Sequence, residues 1–147
     1  MPKKPVTEKN VLISILGRQT MQDELPQALE LRTDGILRDN GDSLSLSYAE
    51  SEVTGMEGVH TEFEIAQDKV LLKRSGKVNS TMVFQRGQKT ESLYDMGFGA
   101  LLVGVNSRIV ETAMTMDGGS IDLNYMIEIE HEPVSVNVYH ITVQDAN

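Results

Sequence analysis

The stretch SLSLSYAESEVTGMEGVHTEFEI, residues 43–65, alternates strictly between two kinds of side chain. Successive side chains of a β-strand point to opposite faces, so Leu44, Leu46 and Tyr48 share one face and serines fill the other. Glu50 falls on the same face as the leucines. The stretch therefore predicts a half-buried strand that carries a carboxylate on its buried face.

The same period of two recurs along most of the chain, and helical periodicity is scarce. Asn40-Gly41 predicts a tight hairpin turn, because both residues tolerate positive φ. Only the segment QDELPQ, residues 22–27, is compatible with a helical turn, and Pro26 limits its length. The final strand, predicted over residues 135–143, shifts its apolar phase after Val138, which suggests a bulge or a two-sided environment.

About eight to ten strands joined by short loops predict an up-and-down antiparallel meander. Such a sheet needs its edges covered, and closure into a barrel removes them. The sequence therefore favours an all-β fold, a closed or nearly closed barrel, over a sandwich.

Six short motifs support a family assignment. They span most of residues 11–143 and are YAE (48–50), GMEGVHTEFEI (55–65), LKRSG (72–76), MVFQRG (82–87), YDMGFG (94–99) and LNY (123–125). In order and spacing they resemble the bacterial YwiB-like family of uncharacterised proteins. The resemblance implies a calycin (lipocalin-like) β-barrel and implies no activity.

Length and composition indicate one domain over residues 1–147, with residues 1–9 as a flexible N-terminal segment. The chain has no cysteine, and its net charge of −9 argues against nucleic acid as a partner. No apolar run reaches the ~18 residues of a membrane span, and the short run near the start lacks the features of a signal peptide. We therefore expect a cytoplasmic protein without a membrane partner.

Charge is unevenly distributed, with a basic stretch over residues 69–89 and no Lys or Arg after Arg108. Such clusters usually form solvated outer faces of strands. A weak anion site on the basic hairpin is the alternative.

Strand parity directs both Glu50 and Arg74 into the barrel. A buried carboxylate is tolerable when a guanidinium satisfies it, so we expect the two to meet near one mouth, directly or through Tyr48 or a water. Tyr125 points inward by the same parity, and Tyr94 is a candidate neighbour. The five residues are candidates either for a polar plug that closes one end or for the anchor of a ligand pocket.

No catalytic motif, phosphate loop or cofactor signature is present. His60, Glu62 and Glu64 share a strand face and could in principle bind a metal, but that face is predicted to be solvated. We rank a barrel that binds a small, partly apolar and anionic ligand first, and a protein-interaction or structural module with a filled barrel second. An enzyme without a recognisable motif is third. The last strand is where a homodimer contact is expected.

Overall fold

The computed structural model describes residues 7–51, 56–95 and 98–146, and these contain β-strands and turns but no helix. No helix in this part of the chain is therefore long and apolar enough to cross a membrane. The strands are β1 (Thr7–Met21), β2 (Gln27–Asp39), β3 (Leu44–Ala49), β4 (Val59–Ile65), β5 (Val70–Gly76), β6 (Ser80–Phe84), β7 (Lys89–Asp95), β8 (Ala100–Thr115), β9 (Gly118–Ile129) and β10 (Glu132–Asp145).

All ten strands belong to one antiparallel sheet in the order β6-β5-β4-β3-β2-β1-β10-β9-β8-β7. Strands that follow each other in sequence pair with each other, except β6 and β7, and β1 also pairs with β10, where Ile15 lies opposite Ile141. β6 and β7 stand at the two ends of the order although they follow each other in sequence. The predicted antiparallel meander is confirmed.

A seam between β6 and β7 nearly closes the sheet into a barrel. The Thr90 hydroxyl on β7 donates a hydrogen bond to the carbonyl of Val83 on β6, at 2.8 Å. Below it, the backbone amide of Gly87 donates to the carbonyl of Ser107 at 2.9 Å, and the amide of Ser107 donates to the carbonyl of Gln88 at 3.1 Å. Ser107 begins a bulge of β8, and bulges bend the strand that contains them.

The two ends of the barrel differ in their packing. At the end that carries the β2–β3, β4–β5, β6–β7 and β8–β9 turns, large side chains fill the lumen and are almost inaccessible to solvent. They are Val11, Ile13, Leu37, Leu46, Val70, Phe84, Val105 and Ile121. We call this the closed end, and the opposite end the open end.

The predicted turn at Asn40-Gly41 forms at the closed end, where Gly41 has a φ of 99°. The backbone amide of Asn40 donates a hydrogen bond to the carbonyl of Ser43 at 2.9 Å. The Asp39 carboxylate accepts a hydrogen bond from the backbone amide of Gly41 at 2.8 Å. A positive φ suits glycine, which lacks the Cβ that would clash there.

Two local predictions need correction. Residues 7–9 do not belong to a flexible segment, because Thr7, Glu8 and Lys9 pair with the end of β2, while residues 1–6 lie outside the described part. Residues 22–26 connect β1 to β2 as an irregular turn, without a helix.

The prediction for the last strand was also wrong. β10 keeps one phase, with Ser135 and Asn137 buried on the inner face, and its bulge lies earlier, between Pro133 and Ser135. Val136 and Val138 point outward and are 46% and 43% exposed. The inner face is polar here because it lines a cavity.

Candidate ligand-binding cavity

The open end of the barrel contains a cavity of about 340 Å³. Inward-facing side chains from eight strands and from the β3–β4 loop line it: Ile15, Gln19, Leu29, Leu31, Tyr48, Glu50, Met56, Phe63, Leu72, Arg74, Met82, Leu123, Tyr125, Ile127, Asn137, Tyr139 and Ile141. The apolar members continue into the closed-end core. Polar groups gather toward the mouth, so the cavity has an apolar floor and a polar rim.

Glu50 follows β3 directly and lies on its inner face, as the alternation predicts. The residue is only 9% exposed. Its Oε1 accepts a hydrogen bond from the hydroxyl of Thr61 at 3.0 Å, and its backbone amide donates to the carbonyl of Val59 at 2.9 Å. Tyr48, two residues earlier on the same face, also hydrogen-bonds the Glu50 carboxylate. Neighbouring strands thus satisfy this carboxylate.

Arg74 lies near the end of β5 and is partly buried. The sequence predicts that Arg74 and Glu50 meet directly or through Tyr48 or a water, and in the described part of the chain no direct ion pair joins the two. Its Nε is buried without a hydrogen-bond partner. Strand parity gives a side chain its direction but not its position along the barrel. Tyr48 hydrogen-bonds Glu50, and the charge of Arg74 also acts on the pKa of Tyr48, so a contact through Tyr48 stays a prediction.

Three tyrosines line the cavity together with Arg74. Burial raises the pKa of Tyr48, and the charge of Glu50 and its hydrogen bond raise that pKa further. Burial likewise raises the pKa of Tyr125 and Tyr139 above the ordinary value. The positive charge of Arg74 acts on all three in the opposite direction. The three hydroxyls are therefore neutral at physiological pH and can donate hydrogen bonds.

The aromatic rings form a continuous contact across the lumen. Tyr125 lies between Phe84 and Tyr139, with ring centroids at 4.6 Å and 6.2 Å respectively. The Tyr125 and Tyr139 rings are close to parallel, at 15°. Tyr139 in turn covers Gly17, its direct partner on β1, and that position has no room for a larger side chain.

The structure brings four of the five predicted site residues together. Tyr48, Glu50, Arg74 and Tyr125 all line the cavity. Tyr94, on β7, packs against the core and does not belong to the lining.

Sequence reasoning missed Tyr139 and Asn137 as cavity residues. Because Val136 and Val138 are apolar, the sequence pattern assigned them to the inner face of this part of β10. Counting back in steps of two from the buried Ile141 would have placed Tyr139 and Asn137 on the inner face instead.

The other candidate groups lie on the outside of the barrel. Glu64 forms an ion pair with Lys73 at 3.0 Å, and Lys89 forms one with Glu128 at 2.8 Å, so part of the basic stretch is neutralised locally. Among the described residues, no three His, Asp or Glu side chains come together in a way that could hold a metal.

These features define a class: an all-antiparallel β-barrel with a packed end and an open, partly polar end. The chain belongs to the family described as a domain of unknown function, DUF1934, whose model matches residues 13–141.

Two comparisons agree with this assignment. The chain is 26% identical over 133 residues, 90% of its length and 92% of the relative's, to an uncharacterized beta-barrel protein, YwiB, of Bacillus subtilis. It is also similar to the crystal structure of the ywiB protein from Bacillus subtilis, with a TM-score of 0.84 and 22% identity over 95% of this chain and 94% of that one. The structural likeness supports the fold alone.

Proposed function

We propose that this protein is a calycin-like binding barrel that holds one small, partly apolar ligand in its open-end cavity. Ligand pockets are concave and mostly apolar, with a few converging polar groups, and the open end has this composition. The observation that carries the proposal is Arg74, which lines the cavity with a buried Nε that no described residue satisfies. A buried donor without a partner is costly, and a bound ligand would remove that cost.

The polar-plug interpretation makes a different demand on the same residues. A plug needs its charged groups to satisfy one another, whereas here Glu50 is bonded by Thr61 and Tyr48, and Arg74 is left over. This supports a pocket rather than a plug. A cytoplasmic location, expected from the sequence, belongs to the same proposal, and cell fractionation tests it.

Native mass spectrometry of protein purified from its own host tests the binding function. We expect a co-purified adduct of defined mass that denaturation releases. The chain contains no tryptophan. A single introduced tryptophan therefore fills space in the cavity and also gives a fluorescence signal that depends on its surroundings. Ile127→Trp, on the cavity wall, should abolish the adduct.

The matched control is Met126→Trp, the preceding position on β9. Its side chain points to the other face and does not line this cavity. The control should keep the adduct. An adduct that survives Ile127→Trp, or a wild-type protein that carries none and takes up no small apolar probe, would overturn the proposal.

A homodimer is a second candidate role, and the outer face of the β1–β10 pair favours it. Leu16, Val136 and Val138 are between 43% and 48% exposed on these neighbouring strands. Exposed apolar clusters often mark protein contacts. Light scattering over a range of concentrations should show a mass increase that Val138→Glu removes; a constant monomer mass would exclude it.

A further inference from the structure

We propose that the ligand is a compact monocarboxylate that binds with its carboxylate at the mouth, on Arg74 and the hydroxyls of Tyr125 and Tyr139, and with its apolar part on the cavity floor. This inference rests on the proposed function and adds the chemical class, the charge and the orientation of the ligand.

The first step is the balance of donors and acceptors at the rim. In the described part of the chain, Arg74 Nε lacks a partner, and neither the Tyr125 nor the Tyr139 hydroxyl hydrogen-bonds another residue. All three side chains line the same cavity, and the charge of Arg74 acts on the pKa of both tyrosines. The Glu50 carboxylate, by contrast, already accepts from Thr61 and Tyr48. The cavity therefore offers a surplus of donors, which suits a ligand group rich in acceptors.

The second step is charge. Among the described residues that line the cavity, Arg74 is the one cation and Glu50 the one anion. A monoanionic ligand adds one negative charge, which Arg74 faces directly through a charge-assisted hydrogen bond. A dianion such as a phosphate monoester would meet the additional repulsion of Glu50 without a second cation. Glu50 thus acts as a determinant of ligand charge.

The third step is size and direction. An engineered cavity of about 150 Å³ accommodates benzene, so a cavity of about 340 Å³ has room for roughly twelve to fourteen non-hydrogen atoms. The lining runs along β1 from Ile15 to Gln19, about 13 Å at the rise of a β-strand. Phe63, Leu72 and Leu123 form the apolar floor, so the tail points inward and the carboxylate outward.

The experiment compares three probes that share the naphthalene ring system by isothermal titration calorimetry: 2-naphthoate, the neutral 2-naphthalenemethanol and the dianionic 2-naphthyl phosphate. We expect wild-type protein to bind naphthoate about 10- to 100-fold more tightly than the alcohol, the range for a hydrogen bond to a charged group. Octanoate and octanol form a second pair with a flexible tail, so that ring shape does not decide the result.

Three variants assign the effect. Arg74→Met should lower naphthoate affinity to that of the alcohol and leave the alcohol unchanged. Lys73→Met removes a lysine from the outer face of the same strand and should change neither affinity. Glu50→Gln should bring the affinity for naphthyl phosphate at least several-fold closer to that for naphthoate. Retention of the wild-type circular dichroism spectrum establishes that each variant is folded.

The outcomes separate this inference from the proposed function. If the alcohols bind as tightly as the carboxylates, or if Arg74→Met keeps the preference, the inference is wrong while the binding function stands. If no probe binds but wild-type protein still carries a native adduct, the ligand belongs to another class. If Glu50→Gln leaves the discrimination against phosphate intact, the role of Glu50 in selecting charge is wrong.

Discussion

The ring of Tyr139 covers Gly17, the residue directly opposite it on β1, and a methyl group built on Gly17 would lie 2.8 Å from the Cδ1 atom of that ring. Glycine inside a strand commonly marks such a close approach. The absence of a side chain at Gly17 therefore leaves the space that the Tyr139 ring occupies.

Gly17→Ala should displace Tyr139 and destabilise the protein by about 1–3 kcal/mol, the usual cost of overpacking. Urea denaturation followed by circular dichroism measures the change. Gly99→Ala is the control, because a methyl group there meets open space and should change stability by less than about 0.5 kcal/mol. Equal stability of the two variants would show that the Tyr139 ring is not held against Gly17.

Thr61→Val should destabilise the protein by about 1–3 kcal/mol, because it leaves the buried Glu50 carboxylate one donor short without creating a cavity. Thr81→Val is the same chemical change on the exposed face of β6 and should be close to neutral. Chemical denaturation of the pair is the measurement. A neutral Thr61→Val would mean that Tyr48 and other neighbours suffice to satisfy Glu50.

Arg74→Met should change stability by less than about 1 kcal/mol, since no ion pair to Glu50 is broken and an unsatisfied donor is removed. A plug in which Arg74 neutralises Glu50 would instead lose about 3–5 kcal/mol, the cost of breaking a buried pair. Urea denaturation of the single variants and of the double variant with Glu50→Gln distinguishes the two. A coupling energy near zero is the expected result.

The buried tyrosines predict a loss of stability at alkaline pH. The pKa values of Tyr48, Tyr125 and Tyr139 are raised above the value of about 10 for the unfolded chain. As pH rises above 10, the unfolded state loses phenolic protons while the folded state keeps them, so the free energy of unfolding falls with pH. Below pH 10 both states are protonated and the contribution is fully present.

Denaturation midpoints between pH 8 and 11.5 measure this slope. Tyr125→Phe should flatten it, because one of the hydroxyls that resist ionisation is gone. Phe63→Leu destabilises the same core without removing a hydroxyl and should keep the wild-type slope. If the free energy of unfolding of Tyr125→Phe depends on pH as in the wild type, groups other than Tyr125 cause the loss of stability at alkaline pH.

Much of the fold could be predicted because strand parity is a local property. The alternation around Leu46 and Tyr48 is visible within a few residues of sequence. In an up-and-down barrel, paired strands are also consecutive in sequence, and here the β1–β10 pair is the exception. The face of a strand is assigned by assuming that apolar residues point inward and polar residues outward, and polar residues in the lumen break this rule. Ser135 and Asn137 look like surface residues, while the outward Val136 and Val138 look like core.

The candidate site could be predicted only in outline. Parity turned Glu50 and Arg74 inward, but it carries no information on distance along the barrel axis. It therefore could not distinguish a direct ion pair, which is absent among the described residues, from a contact through Tyr48 or a water. The contact of Tyr139 with Gly17 joins the first strand to the last. It could not be predicted, because the residues next to each of them in sequence carry no signal of that pairing. Tyr94 is the opposite case: it was predicted as a neighbour of the site, but it packs against the core and does not line the cavity.

The pairing of β1 with β10 also has a consequence for synthesis on the ribosome. Contacts between residues far apart in sequence form slowly, because loop-closure entropy opposes them before any contact compensates. The nascent chain therefore carries the open edge of β1, with Ile13 and Ile15 uncovered on its inner face, until residues 135–145 have left the exit tunnel. An unpaired edge of this kind can add a strand from another chain, so the interval before β10 emerges is when the barrel is most open to association.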